Sequence, residues 1–149
     1  MSIPRSLPRV HEVEVVETGS LDDFWRTTAR EALSTLYDFT VVWHEEAREL
    51  VIRDGTRIVA ALRLRIAASL AHVDALVVAR EHRRTGIGAR LLARGEEVAN
   101  YYNCHKMSVA VPHESSAQRF FEASGYRTEA VLPQHTFKLD VAMMRKFLL

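Results

Sequence analysis

Two glycines that follow a pair of arginines form the segment of this sequence best suited to bind an anion. In EHRRTGIGARLL, Gly86 and Gly88 come after Arg83 and Arg84, and residues with helical spacing follow. The first turn of a helix leaves about four N–H groups without partners and carries roughly half a positive charge. Glycine has no Cβ to block an approaching oxyanion. The pattern favours a phosphate or pyrophosphate site at a helix start, and a glycine-rich turn without a ligand is the simpler alternative.

The spacing does not fit the two common glycine-rich nucleotide loops. Leu91 stands where the dinucleotide-binding fingerprint has its third glycine, and the strands before the turn are predicted to form hairpins. No Gly-Lys-Ser or Gly-Lys-Thr follows the glycines, as a nucleotide triphosphatase loop would require. The anion, if one binds, is therefore held in another kind of site.

A histidine and an aspartate lie on the predicted strand that leads into this turn. His72 lies 14 residues before Gly86, and Asp74 lies 12 before it. Strict alternation along a strand puts His72, Asp74, Leu76 and Val78 on one face. Polar side chains on an otherwise apolar face cost free energy unless they have partners. The pattern indicates either a role in proton transfer or an ion pair with a nearby arginine.

The elements that position these residues follow from hydrophobic periodicity. Alternation predicts seven strands, over Val10–Glu17, Glu49–Arg53, Arg57–Ile66, His72–Ala79, Lys106–Val111, Tyr126–Leu132 and Phe137–Met143. Helical spacing predicts one or two helices after an N-cap at Ser20, one from Gly86, and one capped by Ser115 that ends at Gly125. The order β-α-α-β-β-β-α-β-α-β-β describes an α/β (α+β) domain with a mixed sheet.

Length and composition predict one soluble domain. The chain has 149 residues, 48% of them apolar and 26% charged, with a formal net charge of +1. We expect a flexible N-terminal arm over residues 1–9 and a single domain over residues 10–149. The small net charge argues against nucleic acid as a partner. No apolar run reaches the roughly 18 residues of a membrane span. A single cysteine, Cys104, predicts a reducing, cytoplasmic location and a small buried side chain.

Two segments resemble a known family. The stretch LVVAREHRRTGIGARLL is similar to the acyl-CoA-binding motif of the GNAT superfamily of acetyl-CoA-dependent N-acyltransferases, whose signature Arg/Gln-x-x-Gly-x-Gly/Ala is matched by Arg83, Gly86 and Gly88. The segment SSAQRFFEASGYRTE resembles the second conserved helix of the family, which ends here at Gly125-Tyr126. The order of elements agrees over nearly the whole chain. The resemblance implies the GNAT fold.

The resemblance also implies an activity. The implied activity is that of an N-acetyltransferase, which transfers an acetyl group from acetyl-CoA to a primary amine of a small molecule, peptide or protein. In this family the amine attacks the thioester directly in a ternary complex, and no metal is needed. Acetyl-CoA and an amine acceptor are therefore the expected partners, neither nucleic acid nor a membrane is expected, and a homodimer stays open. The acceptor and the acyl-chain preference cannot be read from the sequence.

The family implies a cofactor site on the strand, the turn and the second helix. By resemblance, Val78 would exchange hydrogen bonds with the pantetheine arm, and the amides around Gly86 would hold the pyrophosphate. Ser115 or Ser116 stands near a family asparagine that this chain lacks, and an N-cap is the alternative role for Ser115. The implied acetyl-CoA contacts are Leu76, Val77, Val78, Arg83, Arg84, Thr85, Gly86, Ile87, Gly88, Ala89, Ser115, Ser116, Phe120 and Phe121.

The catalytic residues implied by the resemblance lie on the same strand. His72 and Asp74 occupy positions similar to the His-x-His pair of the arylalkylamine N-acetyltransferases, which implies a general base. The Leu76 N–H would stabilise the oxyanion. The family often has a tyrosine acid where this chain has Phe121. That departure keeps a second hypothesis open, a non-catalytic acyl-CoA-binding or regulatory module on the same fold.

The general acid and the acceptor pocket stay open at this stage. Three residues near Phe121 in sequence could supply the acid, namely Tyr126, Ser124 and His113. Trp25, Tyr37 and Trp43 lie where the first helices of the family wall the acceptor pocket, although core packing explains Trp25 equally well. His135 falls in the predicted last turn, which often borders that pocket, and an unused surface histidine is the alternative.

Overall fold

The computed structural model describes residues 12–41 and 44–148 of the chain. These residues fall into two compact units, one within residues 1–42 and the other within residues 43–149. The turn and the strand singled out above both belong to the second unit. The predicted division at residue 9 lies outside the described residues.

The first unit contains two short helices. Helix α1 spans Asp22–Arg26 and helix α2 spans Thr28–Leu36. The predicted N-cap at Ser20 is wrong, because Leu21 is the N-cap and the Ser20 hydroxyl donates to the Glu17 carbonyl instead. No residue of either helix is buried.

The strand predicted over Val10–Glu17 is not found in its described part. Residues 12–17 carry no strand, and Val10 and His11 lie outside the described residues. Valines at alternate positions predicted the strand, and Val13 and Val15 are instead 71% and 78% exposed. Alternation favours a strand only where a neighbouring strand supplies hydrogen bonds, and residues 12–17 have none.

The second unit is built on a six-stranded mixed sheet. The strands are β1 Glu45–Asp54, β2 Arg57–Ala67, β3 Leu70–Val78, β4 Lys106–Pro112, β5 Arg127–Thr136 and β6 Leu139–Phe147, in the order β1-β2-β3-β4-β6-β5. Only the β3–β4 pair is parallel. A 3-10 turn over Arg80–His82, helix α3 over Ile87–Tyr101 and helix α4 over Ser116–Ala123 complete the unit. The mixed α/β fold and the three consecutive antiparallel strands are confirmed.

The last hairpin turns later than the sequence predicts. Phe137 and Lys138, both with positive φ, form the turn between β5 and β6. The predicted turn at Pro133–His135 is wrong, because these residues extend β5 through an irregular stretch of pairing. Strand β5 lies at the edge of the sheet, where proline is tolerated if its nitrogen points away from the partner strand, and Pro133 falls within the irregular stretch.

The core lies between the sheet and helices α3 and α4. Its buried side chains include Leu62 of β2, Leu92 of α3 and Phe121 of α4, so both helices cover the same face of the sheet. Gly95 lies at the closest contact of α3 with the sheet, where a Cβ would overlap Leu62 Cδ2. The glycine that weakens α3 as an isolated helix thus allows the helix to approach the sheet.

The sheet opens between β3 and β4. The parallel pairing runs from Leu70 opposite Lys106 to Val73 opposite Val109 and then stops. Strand β3 stays paired with β2 as far as Val78, and β4 stays paired with β6 as far as Pro112. Residues 74–78 and 110–112 therefore diverge and leave a gap in the middle of the sheet.

Candidate active site

A cavity of about 800 Å³ lies at this gap, within the range of roughly 300–1,000 Å³ that is typical of ligand sites. Three segments line it: the end of β3, the turn with the first residues of α3, and one side of α4. The lining residues are Leu76, Val77, Val78, His82, Arg83, Arg84, Gly86, Ile87, Gly88, Ala89, Ser116, Ala117, Arg119, Phe120 and Phe121.

The backbone of β3 presents free polar groups to the gap. Ala79 N–H donates to the Val59 carbonyl at 2.8 Å, so this pair exchanges hydrogen bonds across β2 and β3. Hydrogen-bonding direction alternates along an antiparallel strand. The N–H and C=O groups of Leu76 and Val78 therefore point away from β2, into the gap that β4 has left. Arg83 Nε donates to the Val78 carbonyl at 3.0 Å, and the second lone pair of that oxygen remains for a ligand.

A β-bulge in β3 changes which side chains share a face. Arg63 pairs with Ala75 and Leu64 pairs with Val73, so Asp74 is an extra residue in β3. One extra residue reverses the alternation beyond it. The prediction that His72 shares a face with Leu76 is therefore wrong, and single-sequence alternation could not show it.

Alternate residues before the bulge and after it place their side chains on opposite faces of the sheet, as His72 and Leu76 show. Leu76 lies opposite the buried Leu62 and packs against the core under α3 and α4. His72 lies opposite Arg65, on the other face. Neither His72 nor Asp74 lines the cavity. Both lie where the β3–β4 pairing ends, at the closed end of the gap.

The start of α3 is open to an anion. Gly86 is the N-cap with φ +81°, and no side chain caps the helix. Arg90 N–H donates to the Gly86 carbonyl, so the amides of residues 87–89 precede the first bond of the helix. A Cβ on Gly86 would meet nothing within 4 Å, so the left-handed backbone is what requires glycine there. A Cβ on Gly88 would lie 3.5 Å from the Phe120 ring, at ordinary contact distance.

The predicted cofactor residues differ in placement. Thr85 does not line the cavity, and its hydroxyl donates to the His82 carbonyl within the turn. Ser115 caps α4, since its Oγ accepts from Gln118 N–H at 3.2 Å, and it does not line the cavity either. Ser116 does line it.

The structure adds three lining residues that the sequence argument did not identify, His82, Ala117 and Arg119. The spacing of three residues from Ser116 to Arg119, which puts both on one side of α4, is the signal that could have found Arg119. His82 precedes the glycine turn directly, and its Nε2 lies 3.9 Å from Asp54 Oδ2 of the β1–β2 hairpin. Arg119 adds a third arginine to Arg83 and Arg84 in the lining of the cavity, which favours a ligand with several negative charges.

His72 lies in a polar cluster at the closed end of the gap. Its Nδ1 is 2.7 Å from Ser108 Oγ of β4, and its Nε2 is 4.0 Å from Asp74 Oδ1. Arg65 holds the same carboxylate, with Nη2 at 2.9 Å from Oδ1. Burial lowers the pKa of His72, Asp74 opposes this, and Arg65 lowers the pKa further. His72 is therefore neutral at neutral pH and able to accept a proton.

The residues near Phe121 offer no acid to the cavity. Tyr126 is buried, its hydroxyl donates to Glu96 Oε2 at 2.9 Å, and burial raises its pKa. The Ser124 hydroxyl donates to the Phe120 carbonyl. Phe121 itself is 4% exposed and packs edge-on against Tyr126. Neither Tyr126 nor Ser124 nor His113 lines the cavity.

The other predicted residues lie elsewhere. Trp25 and Tyr37 belong to the first unit and are exposed, and Trp43 lies outside the described residues. His135 is in β5, where its Nδ1 contacts Thr136 Oγ1. Cys104 is buried and unpaired, and burial raises the pKa of its thiol.

Two features are absent from the described part of the chain. No group of three or more His, Cys, Asp or Glu residues there could hold a metal ion. Among the same residues, no helix is long and apolar enough to cross a membrane.

The fold and the gap define the class of protein. A model of the acetyltransferase (GNAT) family matches residues 17–126, and the chain belongs to this family. The co-substrate of the family is acetyl-CoA. The cavity fits it, because the open amides before Arg90 suit a pyrophosphate and the free groups of Leu76 and Val78 suit the amide-bearing pantetheine arm.

Solved structures share the fold at low sequence identity. An acetyltransferase from Bacillus cereus is 21% identical with a TM-score of 0.73, covering 93% of this chain and 98% of its own. A chimera of the Vibrio cholerae spermidine N-acetyltransferase SpeG with hSSAT is 23% identical with a TM-score of 0.61, covering 68% and 66%. A candidate streptothricin acetyltransferase from Bacillus anthracis, in complex with acetyl coenzyme A, is 15% identical with a TM-score of 0.63, covering 67% and 61%. No curated protein sequence matches the chain significantly.

Proposed function

We propose that this protein is an N-acetyltransferase that transfers the acetyl group of acetyl-CoA directly to a primary amine. The observation that carries the proposal is the gap between β3 and β4, where unpaired backbone groups of β3 and the open start of α3 meet in one cavity. The spermidine N-acetyltransferase chimera, which shares the fold, is consistent with an amine as acceptor.

Each step of the transfer has a residue suited to it. His72 Nε2 takes a proton from the substrate ammonium, directly or through water, and the lowered pKa of His72 keeps the ring neutral at neutral pH. The amine nitrogen then bonds to the thioester carbon, and the Leu76 N–H donates to the oxygen that becomes negative. When the carbon–sulfur bond breaks, the nitrogen loses its second proton to solvent to give the neutral amide, and the CoA leaves as thiolate and takes a proton from solvent.

The absence of a tyrosine acid favours the alternative hypothesis, a non-catalytic acyl-CoA-binding or regulatory module on the same fold. In the described residues that line the cavity, no tyrosine is present, and Phe121 stands where the family often has one. A module that binds acyl-CoA without turnover would have no need of that group. We favour the enzyme, because a thiolate leaves without assistance and a neutral histidine has no evident purpose in a simple binding module.

The experiment measures release of CoA thiol with a panel of primary amines, which includes polyamines, lysine peptides and small arylalkylamines. We expect turnover with at least one class. His72→Ala should lower kcat by about 100-fold and leave acetyl-CoA affinity within about twofold. His105→Ala is the matched control, because it removes an exposed histidine that directly precedes β4, at the end of the strand away from the gap. Acetyl-CoA binding without turnover would favour the module, and a normal rate for His72→Ala would remove His72 as the base.

Three further points belong to this proposal. The acceptor is a small amine or a peptide amine, and the amine panel decides between them. A single domain over residues 10–149 and a cytoplasmic location remain predictions from the sequence. The oligomeric state, monomer or homodimer, stays open, and sedimentation of the purified protein would decide it.

A further inference from the structure

Ser108 is the one polar side chain of β4 that contacts His72. Its Cα lies opposite that of His72 in the parallel β3–β4 pairing, one position before the pairing ends. Ser108 is 9% exposed, and its Oγ is 2.7 Å from His72 Nδ1. Local sequence gives no sign of a role for Ser108, because the contact joins residues 36 positions apart.

The direction of the Ser108–His72 hydrogen bond decides which ring nitrogen of His72 is free. A neutral imidazole carries its proton on one nitrogen and accepts with the other. If Nδ1–H donates to Ser108, then Nε2 has an open lone pair. Asp74 Oδ1 lies 4.0 Å from Nε2, which is beyond hydrogen-bond distance, and Arg65 already holds that carboxylate. Asp74 therefore does not fix the proton on Nε2.

We propose that Ser108 is a positioning residue for the transfer, holding His72 with its proton on Nδ1 so that Nε2 faces the incoming amine as a base. A hydroxyl oxygen accepts from Nδ1–H both before and after Nε2 takes up a proton. The hydroxyl thus needs no rearrangement during the step. The inference rests on the proposed function, in which His72 is the base.

The charged groups around His72 are consistent with a neutral ring in the resting state. Arg65 faces it from β2, and Asp74 lies beside it on β3. From β6, Arg145 lies opposite Ser108 and is held by Glu129 of β5. Each of these arginines has a carboxylate partner, and burial lowers the pKa of His72. The rate should therefore fall at acid pH with a midpoint below 6.5.

A second serine–histidine pair, formed by the residues that directly precede β3 and β4, provides the control. Ser69 Oγ lies 2.9 Å from His105 Nδ1, before the start of β3 and β4, and both residues are exposed. His105 Nδ1 also lies 2.9 Å from the Ser69 carbonyl oxygen. Ser69→Ala therefore removes a serine–histidine contact, leaves that backbone partner in place and does not reach the gap. Ser108→Thr keeps the hydroxyl, and its β-branched side chain suits a strand.

The first measurement is the tautomer of His72 in the unmodified protein, read from two-bond ¹H–¹⁵N correlations with His72→Ala used to assign the signal. The proposal expects Nδ1–H, and Nε2–H in the unmodified protein would overturn it. In Ser108→Ala we expect the Nε2–H form to dominate, kcat to fall about tenfold and KM for acetyl-CoA to stay within about twofold.

The remaining variants complete the test. Ser108→Thr should restore both the tautomer and kcat, and Ser69→Ala should change neither. Unchanged kcat and tautomer in Ser108→Ala, or a covalently acetylated Ser108 found by mass spectrometry, would overturn the proposal. The tautomer of His72 is measured without turnover. If no amine were acetylated, the proposed function would be refuted, whereas the effect of Ser108 on the His72 tautomer would still be measured.

Discussion

Replacing Tyr126 with phenylalanine separates a structural hydroxyl from a catalytic one. Tyr126 Oη donates to Glu96 Oε2 at 2.9 Å, and Lys146 Nζ donates to the other oxygen of that carboxylate at 3.1 Å. A buried hydrogen bond to a charged group contributes about 1.5–3 kcal/mol. Because Glu96 keeps Lys146 in the variant, we expect a loss near the lower end, about 1.5–2 kcal/mol. For a chain of this size that loss corresponds to a fall in Tm of about 3–8 °C.

The assay compares urea unfolding and kcat for the unmodified protein and Tyr126→Phe. We expect a lower free energy of unfolding and a kcat that is unchanged at a temperature where both proteins are folded. Tyr101→Phe removes a hydroxyl from a side chain that is 80% exposed and should change neither quantity. A large fall in kcat with unaltered stability would identify Tyr126 as the acid and refute the argument from its burial.

Three further predictions concern glycines and a cap. Gly86→Asp should weaken acetyl-CoA binding about tenfold or more by charge repulsion. Gly86→Asn is the control, because asparagine tolerates the same left-handed backbone, and it should bind acetyl-CoA far better than Gly86→Asp. Equal affinities of the two variants in calorimetry would contradict an anion site. Ser115→Ala should cost about 1 kcal/mol of stability with unchanged KM for acetyl-CoA, and a raised KM would return Ser115 to the binding site. Gly95→Ala should destabilise by about 1–2 kcal/mol in urea unfolding, because its Cβ would overlap Leu62; Gly88→Ala, which meets its neighbours at 3.5 Å, is the stability control.

Much of the second unit could be predicted because its signals are local. The Asp54-Gly55 hairpin, the alternation of β2 and the glycine N-cap of α3 each depend on a few neighbouring residues. The cap of α4 by Ser115 is local in the same way. Local patterns gave wrong predictions at residues 12–17, where a strand would have needed a neighbouring strand, and at Pro133, where β5 continues instead of turning.

Local sequence is sufficient to predict the order of the elements in the second unit and the glycine at the start of α3. These follow from side-chain periodicity and from the backbone freedom of glycine. The tertiary structure alone decided the bulge at Asp74, which turns His72 to the face opposite Leu76, and the contact of His72 with Ser108. The reason is that strand register and the point where β3 and β4 separate depend on pairing between distant segments, which no short stretch of residues contains.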